Sequence, residues 1–346
     1  MSELIFLKWN ENKRLSELID RVMPLLKLQK GELLPIKLHF GEEGNKGYIR
    51  PELVRPFISA CKKYKALPFL TDTNTIYRGR RDNAVTHLML AAGHGFVEQK
   101  INAPVIIGDG LYGDDHRRIE IDKKHFHTVK IATSIAESDV MIVLSHFKGH
   151  LLTGFGGAVK NLGMGCGSKV GKYEMHSGAF PSVDQEKCCS CGKCIDGCPA
   201  KSLTLLDAGI SLDPDKCIGC GECVAHCSTG ALSINWNASA SAVQERLVEY
   251  AFGAVKEKRV VYFNFINHIT ANCDCLAKDE ATLTEDIGIL AGTDPVAIDQ
   301  ASYDLVCKSA KKDVFKEAHP EIDSLLQLVY AEEIGLGSRK YNIVNC

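Results

Sequence analysis

The sequence has no run of about 18 or more apolar residues, which excludes a membrane-spanning helix of ordinary length. It also has almost no net charge: 41 basic against 43 acidic side chains leave −2. A field of that size argues against nucleic acid or a membrane surface as the main partner. Met1 to Asn10 hold a short apolar run interrupted by Glu3 and Lys8, too short and too charged for a secretory signal. Cysteines are not spread along the chain as in a small disulfide scaffold. Nine of the fifteen fall between Cys188 and Cys227. Such clustering reads as metal ligation in a reducing compartment, with the cytoplasm as the expected location.

What is present is ordinary soluble-protein material, 45% apolar and 24% charged. Apolar runs that read as strands alternate with helical patterns. Leu4–Leu7, Pro35–Phe40, Pro68–Thr71, Val105–Ile107 and Val140–Leu144 are strand candidates, interleaved with helices at Arg14–Val22, Glu52–Lys63, Asp82–Ala92 and Thr133–Glu137. The pattern stops near Pro181 and resumes after Asn237 with a helix at Val243–Lys256, strands at Val260–Phe265 and Ile287–Leu290, and helices beyond Pro295. The expected fold class is α/β: a largely parallel sheet with covering helices. The expected organisation is a discontinuous α/β domain, 1–180 and 237–346, with a small cysteine-rich insert at 181–236. Three consecutive domains are the alternative.

The insert is a near-repeat. Cys188, Cys191, Cys194 and Cys198 (followed by Pro199) recur as Cys217, Cys220, Cys223 and Cys227, at an offset of 29 residues. Three thiolates at x2 spacing can wrap one face of a cubane cluster, and the fourth must come from elsewhere. In the two-cluster bacterial pattern the fourth cysteine of each run ligates the other cluster. One [4Fe–4S] cluster is therefore expected on Cys188, Cys191, Cys194 and Cys227, the other on Cys217, Cys220, Cys223 and Cys198. Cys189 is out of register and reads as a non-ligand. Paired C-x2-C units also bind zinc, but four cysteines per run do not fit one tetrahedral zinc.

A second set of polar residues falls just past strand ends, where a parallel sheet gathers its ligand contacts. His39, Asp72, Asp109, His146, Lys148 and His150 are the candidates, as catalytic groups of a cleft or as caps and surface residues. Next comes Gly154–Lys172, with seven glycines in the 18 residues from Gly154 to Gly171 and Lys160, Lys169 and Lys172 interleaved. It matches neither the Walker pattern nor the dinucleotide fingerprint. Either Gly156, Gly157 and Lys160 cradle a small anion, or the segment is a tightly turned connector. Further on, Cys273 and Cys275 with Asp286 offer an additional metal site of mixed thiolate and carboxylate character, or two buried thiols. Cys166 has no assigned role.

Read in order, Lys37-Leu-His39-Phe-Gly, Thr71-Asp72-Thr-Asn74, Lys148-Gly-His150 through Lys160-Asn161-Leu-Gly-Met-Gly165-Cys166, Cys273-Asp-Cys275 and Asp294-Pro-Val-Ala-Ile-Asp299 resemble the DUF362 family of iron–sulfur centre proteins, with a ferredoxin-type insert. The resemblance covers almost the whole chain. It implies an α/β domain carrying two [4Fe–4S] clusters and names no reaction. Three readings follow. The chain passes electrons to or from a redox partner protein or carrier; or it is a self-contained oxidoreductase whose clusters feed a substrate or metal cleft; or it is a non-catalytic sensor or assembly factor.

Overall fold

The computed structural model describes every residue except 78, 177–180, 199, 207–208, 218–222, 224–226, 228, 235 and 276–279; of 234 and 236–239 it describes the backbone only. Its centre is an eight-stranded sheet. In chain order the strands are β1 (Ser2–Lys8), β2 (Leu33–Lys37), β3 (Leu67–Asp72), β4 (Val105–Ile107), β5 (Val140–His146), β6 (Arg259–Ile266), β7 (Gly288–Gly292) and β8 (Tyr341–Asn345). They lie side by side as β8-β1-β7-β6-β5-β2-β3-β4. Only β7 runs against its neighbours β1 and β6; the other pairs are parallel.

The central strands are buried on both faces, so their sequences are continuous apolar runs rather than alternating ones. In β5, Met141 and Val143 enter one core while Ile142 and Leu144 enter the other. The first core is closed by Ala158–Cys166 (α1), Trp236–Val255 (α2) and Pro295–Ala310 (α3); the second by Leu15–Val22 and Pro51–Lys63. Asp294 caps α3 at Val296 N and Ala297 N, 2.9 and 3.0 Å away, with Pro295 at its first position. No helix among the described residues is long and apolar enough to cross a membrane.

The strand and helix positions read from the sequence fall on elements of the structure, with shifts of a few residues at the ends. Two features differ. The glycine-rich segment is not a connector: it is a short strand, Gly154–Gly156, followed by α1 and a second helix, Lys169–His176. Its glycines mark places where backbones touch. A Cβ on Gly163 would lie 2.3 Å from the Leu247 carbonyl oxygen of α2. The edge strand β8 carries no strong apolar run and escapes a pattern reading; it is half-exposed and pairs only with β1. Between residues 181 and 234 the chain forms one small hairpin, Leu203–Leu206 with Gly209–Leu212, and an antiparallel pair that joins its two ends, Pro181–Val183 with Leu232–Ile234, around a core of its own at Cys194, Leu203, Ile210, Cys223 and Leu232.

One buried carboxylate ties α1 to the sheet. Asp299 accepts Ala158 N at 2.7 Å and Val159 N at 2.9 Å, and also the Asn264 side-chain amide at 2.7 Å. Burial nevertheless pushes its carboxyl up to about 6. Replacing it strands two helix N–H groups and an amide away from water. Asp299→Ala is expected to cost about 2–4 kcal/mol in urea unfolding. Gly157→Ala, whose new carbon would sit 2.2 Å from Asp299 Oδ1, should also destabilise. Wild-type unfolding midpoints for both would refute this anchoring role.

Candidate functional site

The carboxyl ends of β2, β3 and β5 open onto one cavity of about 540 Å³. That is within the roughly 300–1,000 Å³ range of small-molecule sites. Lys37 and His39 reach it from β2, Asp72 from β3, and Ser145 and His146 from β5. The strand pair Lys148–His150 and Gly154–Gly156 forms one wall and α1 with the helix Lys169–His176 another. Much of the remaining lining is apolar, including Leu144, Leu152, Met164 and Leu247.

The polar part of the wall is strongly basic. Lys37, Arg81, Lys148, Lys160 and Lys172 all face the cavity. Three of them have carboxylate partners. Lys37 Nζ lies 2.9 Å from Asp72 Oδ1 and donates to Asn161 Oδ1 at 2.8 Å. Arg81 Nε donates to Glu42 Oε2 at 2.9 Å, and Lys148 pairs with Asp274. Lys172 instead donates to Thr73 Oγ1 at 2.6 Å and to the Asn74 carbonyl. Among the described residues, Lys160 has no hydrogen-bond or ion-pair partner. Burial pushes the ammonium groups of Lys160 and Lys172 down to about 8; Arg81 and Lys37 add to this at Lys160, while Asp109 and Asp72 oppose it at Lys172.

The imidazoles are held neutral. Burial, reinforced by Arg81, keeps His39 well below the usual histidine range, and Arg81 Nη1 sits 2.7 Å from its Nε2. His176 is pushed down to about 4 by burial and by Lys160 and Lys172. His146 donates Nε2–H to the Asn267 carbonyl at 2.6 Å, and Lys148 Nζ approaches its Nδ1 at 3.0 Å. For Asp72 burial favours the neutral form, but Lys37 and its neighbours outweigh it and hold the carboxyl below its ordinary value.

The structure thus brings His39, Asp72, His146, Lys148, His150, Gly156, Gly157, Lys160, Cys273 and Cys275 to one cavity. It does not bring Asp109 or Asp286 there. Asp109 is turned away from the lining: Oδ1 accepts Asn74 N at 3.0 Å and Oδ2 accepts Lys169 N at 3.0 Å, so it clamps two chain segments. Asp286 accepts His268 N at 2.7 Å. The residue that joins Cys273 and Cys275 is His150, with a ring nitrogen and both sulfurs within 4.8 Å of one another; the two sulfurs are joined as a disulfide. Cys166 is buried, and burial pushes its thiol up to about 12.

In the cysteine-rich segment, Cys188, Cys189, Cys191, Cys194 and Cys227 line one small cavity. Cys198 is not among the described residues of that lining; its sulfur accepts Ser202 N at 3.3 Å. Cys227 sulfur accepts Leu232 N at 3.4 Å. At both thiols these hydrogen bonds outweigh the opposing effect of burial and favour the thiolate. Cys217 and Cys223 are described, and Cys220 and Pro199 lie outside the described residues.

Sequence reasoning did not single out Lys37, Arg81, His176 or Asp274 as site residues, and it named Lys172 only as one of the lysines interleaved in the glycine-rich segment. Lys37 carried a signal: a lysine inside the apolar strand Leu33–Lys37 must find a partner when buried. Arg81 and Asp274 sit in irregular segments with no pattern to read.

Fold and site define an α/β protein with a basic pocket at the carboxyl edge of its sheet and a separate cysteine-rich segment. The family described as "Domain of unknown function (DUF362)" matches residues 35–304, and the chain belongs to that family. No curated protein matches it. Among solved structures, the lactate racemase apoprotein from Thermoanaerobacterium thermosaccharolyticum is similar at 12% identity and a TM-score of 0.42, over 86% of this chain and 54% of that one. A protein from Thermotoga maritima is similar at 9% identity and a TM-score of 0.41, over 87% of this chain and 59% of that one. The chain spans little more than half the length of either.

The two lysines without carboxylate partners among the described residues set a pH dependence. Below about 8 both are charged in the folded protein, and above it they lose their protons. Unfolded lysines keep theirs to about 10.4. The cost of burying these charges is therefore present below about pH 8 and fades as pH rises towards 10. Anion binding should run the other way. Sulfate, which does not titrate here, is expected to bind at pH 7 and to weaken about tenfold or more by pH 9.5, since each charge-assisted hydrogen bond is worth about 1.5–3 kcal/mol. Lys160→Met should remove about half of that dependence in calorimetric titrations, and the double replacement with Lys172→Met should flatten it. A pH-independent affinity would count against these lysines as the anion's partners.

Proposed function

We propose that this chain is an iron–sulfur protein that holds two [4Fe–4S] clusters and exchanges electrons with a redox partner. We also propose that the basic cavity is where those electrons meet a small anionic substrate, which makes the chain a self-contained oxidoreductase. The observation that carries the second part is the cavity itself: one arginine and four lysines line it, two of the lysines without an ion-pair partner among the described residues, beside a largely apolar surface. A docking module without chemistry of its own has no use for such a site.

The cluster assignment rests on the paired cysteine runs and on the convergence of Cys227 with Cys188, Cys191 and Cys194, as crossed ligation requires. The hydrogen bonds to the Cys198 and Cys227 sulfurs suit thiolates that donate to iron. When bound, such a cubane supplies one-electron transfer. Cys191 is exposed, so a cluster held there lies within reach of a partner's surface. The insert at 181–236, read as a small ferredoxin-like domain, is joined to the cavity at both ends of its chain. It follows the helix bearing His176 and leads into α2, which bears Leu247. A reducing cytoplasm suits this thiol content.

The residues divide the work. Lys160 and Lys172 hold the anion; Asp72 and Asn161 fix Lys37; Asp274 fixes Lys148 beside His146. The lysines with values near 8 are poised to give up a proton near neutral pH.

Anaerobically purified protein is expected to carry about eight iron and eight sulfide per chain. Cys198→Ala should damage the cluster on Cys217, Cys220 and Cys223 more than the other, and Cys189→Ala should leave both intact, as read by EPR of the reduced protein. Zinc alone, with no reduced-state EPR signal, would remove the cluster assignment. For the cavity, reduced protein should be reoxidised by some member of a panel of small organic anions. The Lys160→Ala/Lys172→Ala variant should lose that reaction and keep electron exchange with methyl viologen. Equal loss of both would point to a damaged fold, and retention of both would overturn the cavity assignment.

A further inference from the structure

Among the clusters of titratable and ligating groups, the one formed by Cys273, Cys275 and His150 goes beyond the electron-transfer reading and does not depend on it. We infer that these three residues form a three-ligand site for a divalent thiophilic cation, zinc fitting best, with the fourth coordination position open to the basic cavity.

The donor set comes first. Two thiolates and one imidazole suit zinc, and three protein ligands with one open position are the arrangement of catalytic rather than structural zinc sites. The three donor atoms already lie within 4.8 Å of one another, and all three residues line the cavity. Cys273 and His150 are each 8% exposed, so the ion would sit at the cavity wall rather than on the outer surface.

The support for these ligands is equally specific. The loop that carries both cysteines is held from several sides. Gly149 N donates to the Thr270 carbonyl at 2.9 Å, His319 Nε2 to the Ala271 carbonyl at 2.7 Å, and Asn272 Nδ2 to Glu280 Oε1 at 2.9 Å. Gly149 has to be glycine for this approach: a Cβ there would lie 2.2 Å from the Ala271 carbonyl oxygen. Asp274, between the two cysteines, is held by its ion pair with Lys148. On the histidine, Nδ1 is already engaged. Thr153 Oγ1 lies 3.0 Å away and Leu152 N 3.2 Å away. Thr153 gives its own proton to the Phe155 carbonyl at 2.6 Å, so its oxygen is free to accept Nδ1–H. A metal at Nε2 selects that tautomer over the one in which Nδ1 accepts from Leu152. This is the outer hydrogen bond that metal-bound histidines ordinarily make.

Charge closes the case. The two sulfurs are paired as a disulfide, and two electrons and two protons from a thiol reductant open it to two thiols. An incoming dication then displaces both thiol protons and leaves a site neutral over metal and ligands. Lys160 stands near His150 and would repel a bare cation there, but it favours an anion on the open position of a neutral one. A hydroxide or a substrate carboxylate is the class of fourth ligand the surroundings select.

The test uses the cluster-loaded protein, reduced anaerobically with a phosphine, given zinc and then dialysed. One retained zinc per chain is expected. Zinc-edge X-ray absorption should report two sulfurs at about 2.3 Å and imidazole nitrogen at about 2.0–2.1 Å, with iron content unchanged. Cys273→Ser and His150→Ala should each weaken zinc binding at least tenfold without loss of iron, and His150→Ala should remove the imidazole signature. Failure to retain zinc, while alkylation shows Cys273 and Cys275 free, would overturn the inference. So would zinc bound by four sulfurs that survives Cys273→Ser, since that metal would sit in the cysteine-rich segment.

Discussion

Burial of positive charge at the strand ends is the constraint around which the site is built. Lys37 is the last residue of β2 and about 1% exposed. Removing an ion from water costs several kcal/mol even after relaxation, and attraction offsets this only with good geometry and further hydrogen bonds. Asp72, itself buried, supplies the countercharge from the neighbouring strand, and Asn161 supplies a neutral acceptor from α1. The same device recurs at Arg81 with Glu42 and at Lys148 with Asp274. Three cations are thereby made affordable. Among the described residues Lys160 and Lys172 have no directly paired carboxylate, and the position left for one is the cavity.

That arrangement requires α1 to lie close to the sheet and to α2 at once. A Cβ on Gly165 would fall 2.5 Å from Lys37 Nζ, and one on Gly163 would meet the backbone of α2. The glycines thus allow a short helix to press against both neighbours, which sets Lys160 and Asn161 at the cavity. Asp299 fixes the start of that helix from the opposite side. Glycine in a helix interior costs roughly 0.5–1 kcal/mol relative to alanine, and the packing it permits is the compensation.

The fold was legible where burial imposes a strong pattern. Runs such as Val140–Leu144 and Val260–Phe265 are apolar on both faces, as interior parallel strands must be, and their alternation with helices announces the architecture. Position along the strands also pointed to His39, Asp72, His146, Lys148 and His150, because parallel strands end on one edge. It could not separate these from Asp109, which follows β4 at the same edge but is turned to cap Asn74 and Lys169. Side-chain direction depends on neighbours that are remote in sequence. The same limit applies to the C-x-C pair. Asp286 is nearer in sequence, but His150, more than a hundred residues away, is the group beside the sulfurs. Glycine content was misleading for a different reason. It reports that a Cβ is excluded, and both open turns and tightly packed helices exclude one.

Within the proposed function, the charge of the cavity distinguishes the two directions of electron flow. A bound anion that gains an electron gains negative charge, and fixed cations in a low-dielectric pocket stabilise that charge far more than water-exposed ones do. They oppose loss of an electron from the same anion to the same degree. The neutral imidazoles of His39 and His176 add no charge to this balance near neutral pH. Lysines whose values burial has lowered to about 8 hold protons that are released more readily than ordinary lysine protons. An added electron can therefore be followed by a proton from the same wall, which neutralises the new charge on the substrate and leaves a neutral lysine, and a proton taken up from solvent below about pH 8 restores the ammonium. A wall of carboxylates would favour the reverse. Under the proposed function, the electrostatics of this pocket favour reduction of an anionic substrate over its oxidation.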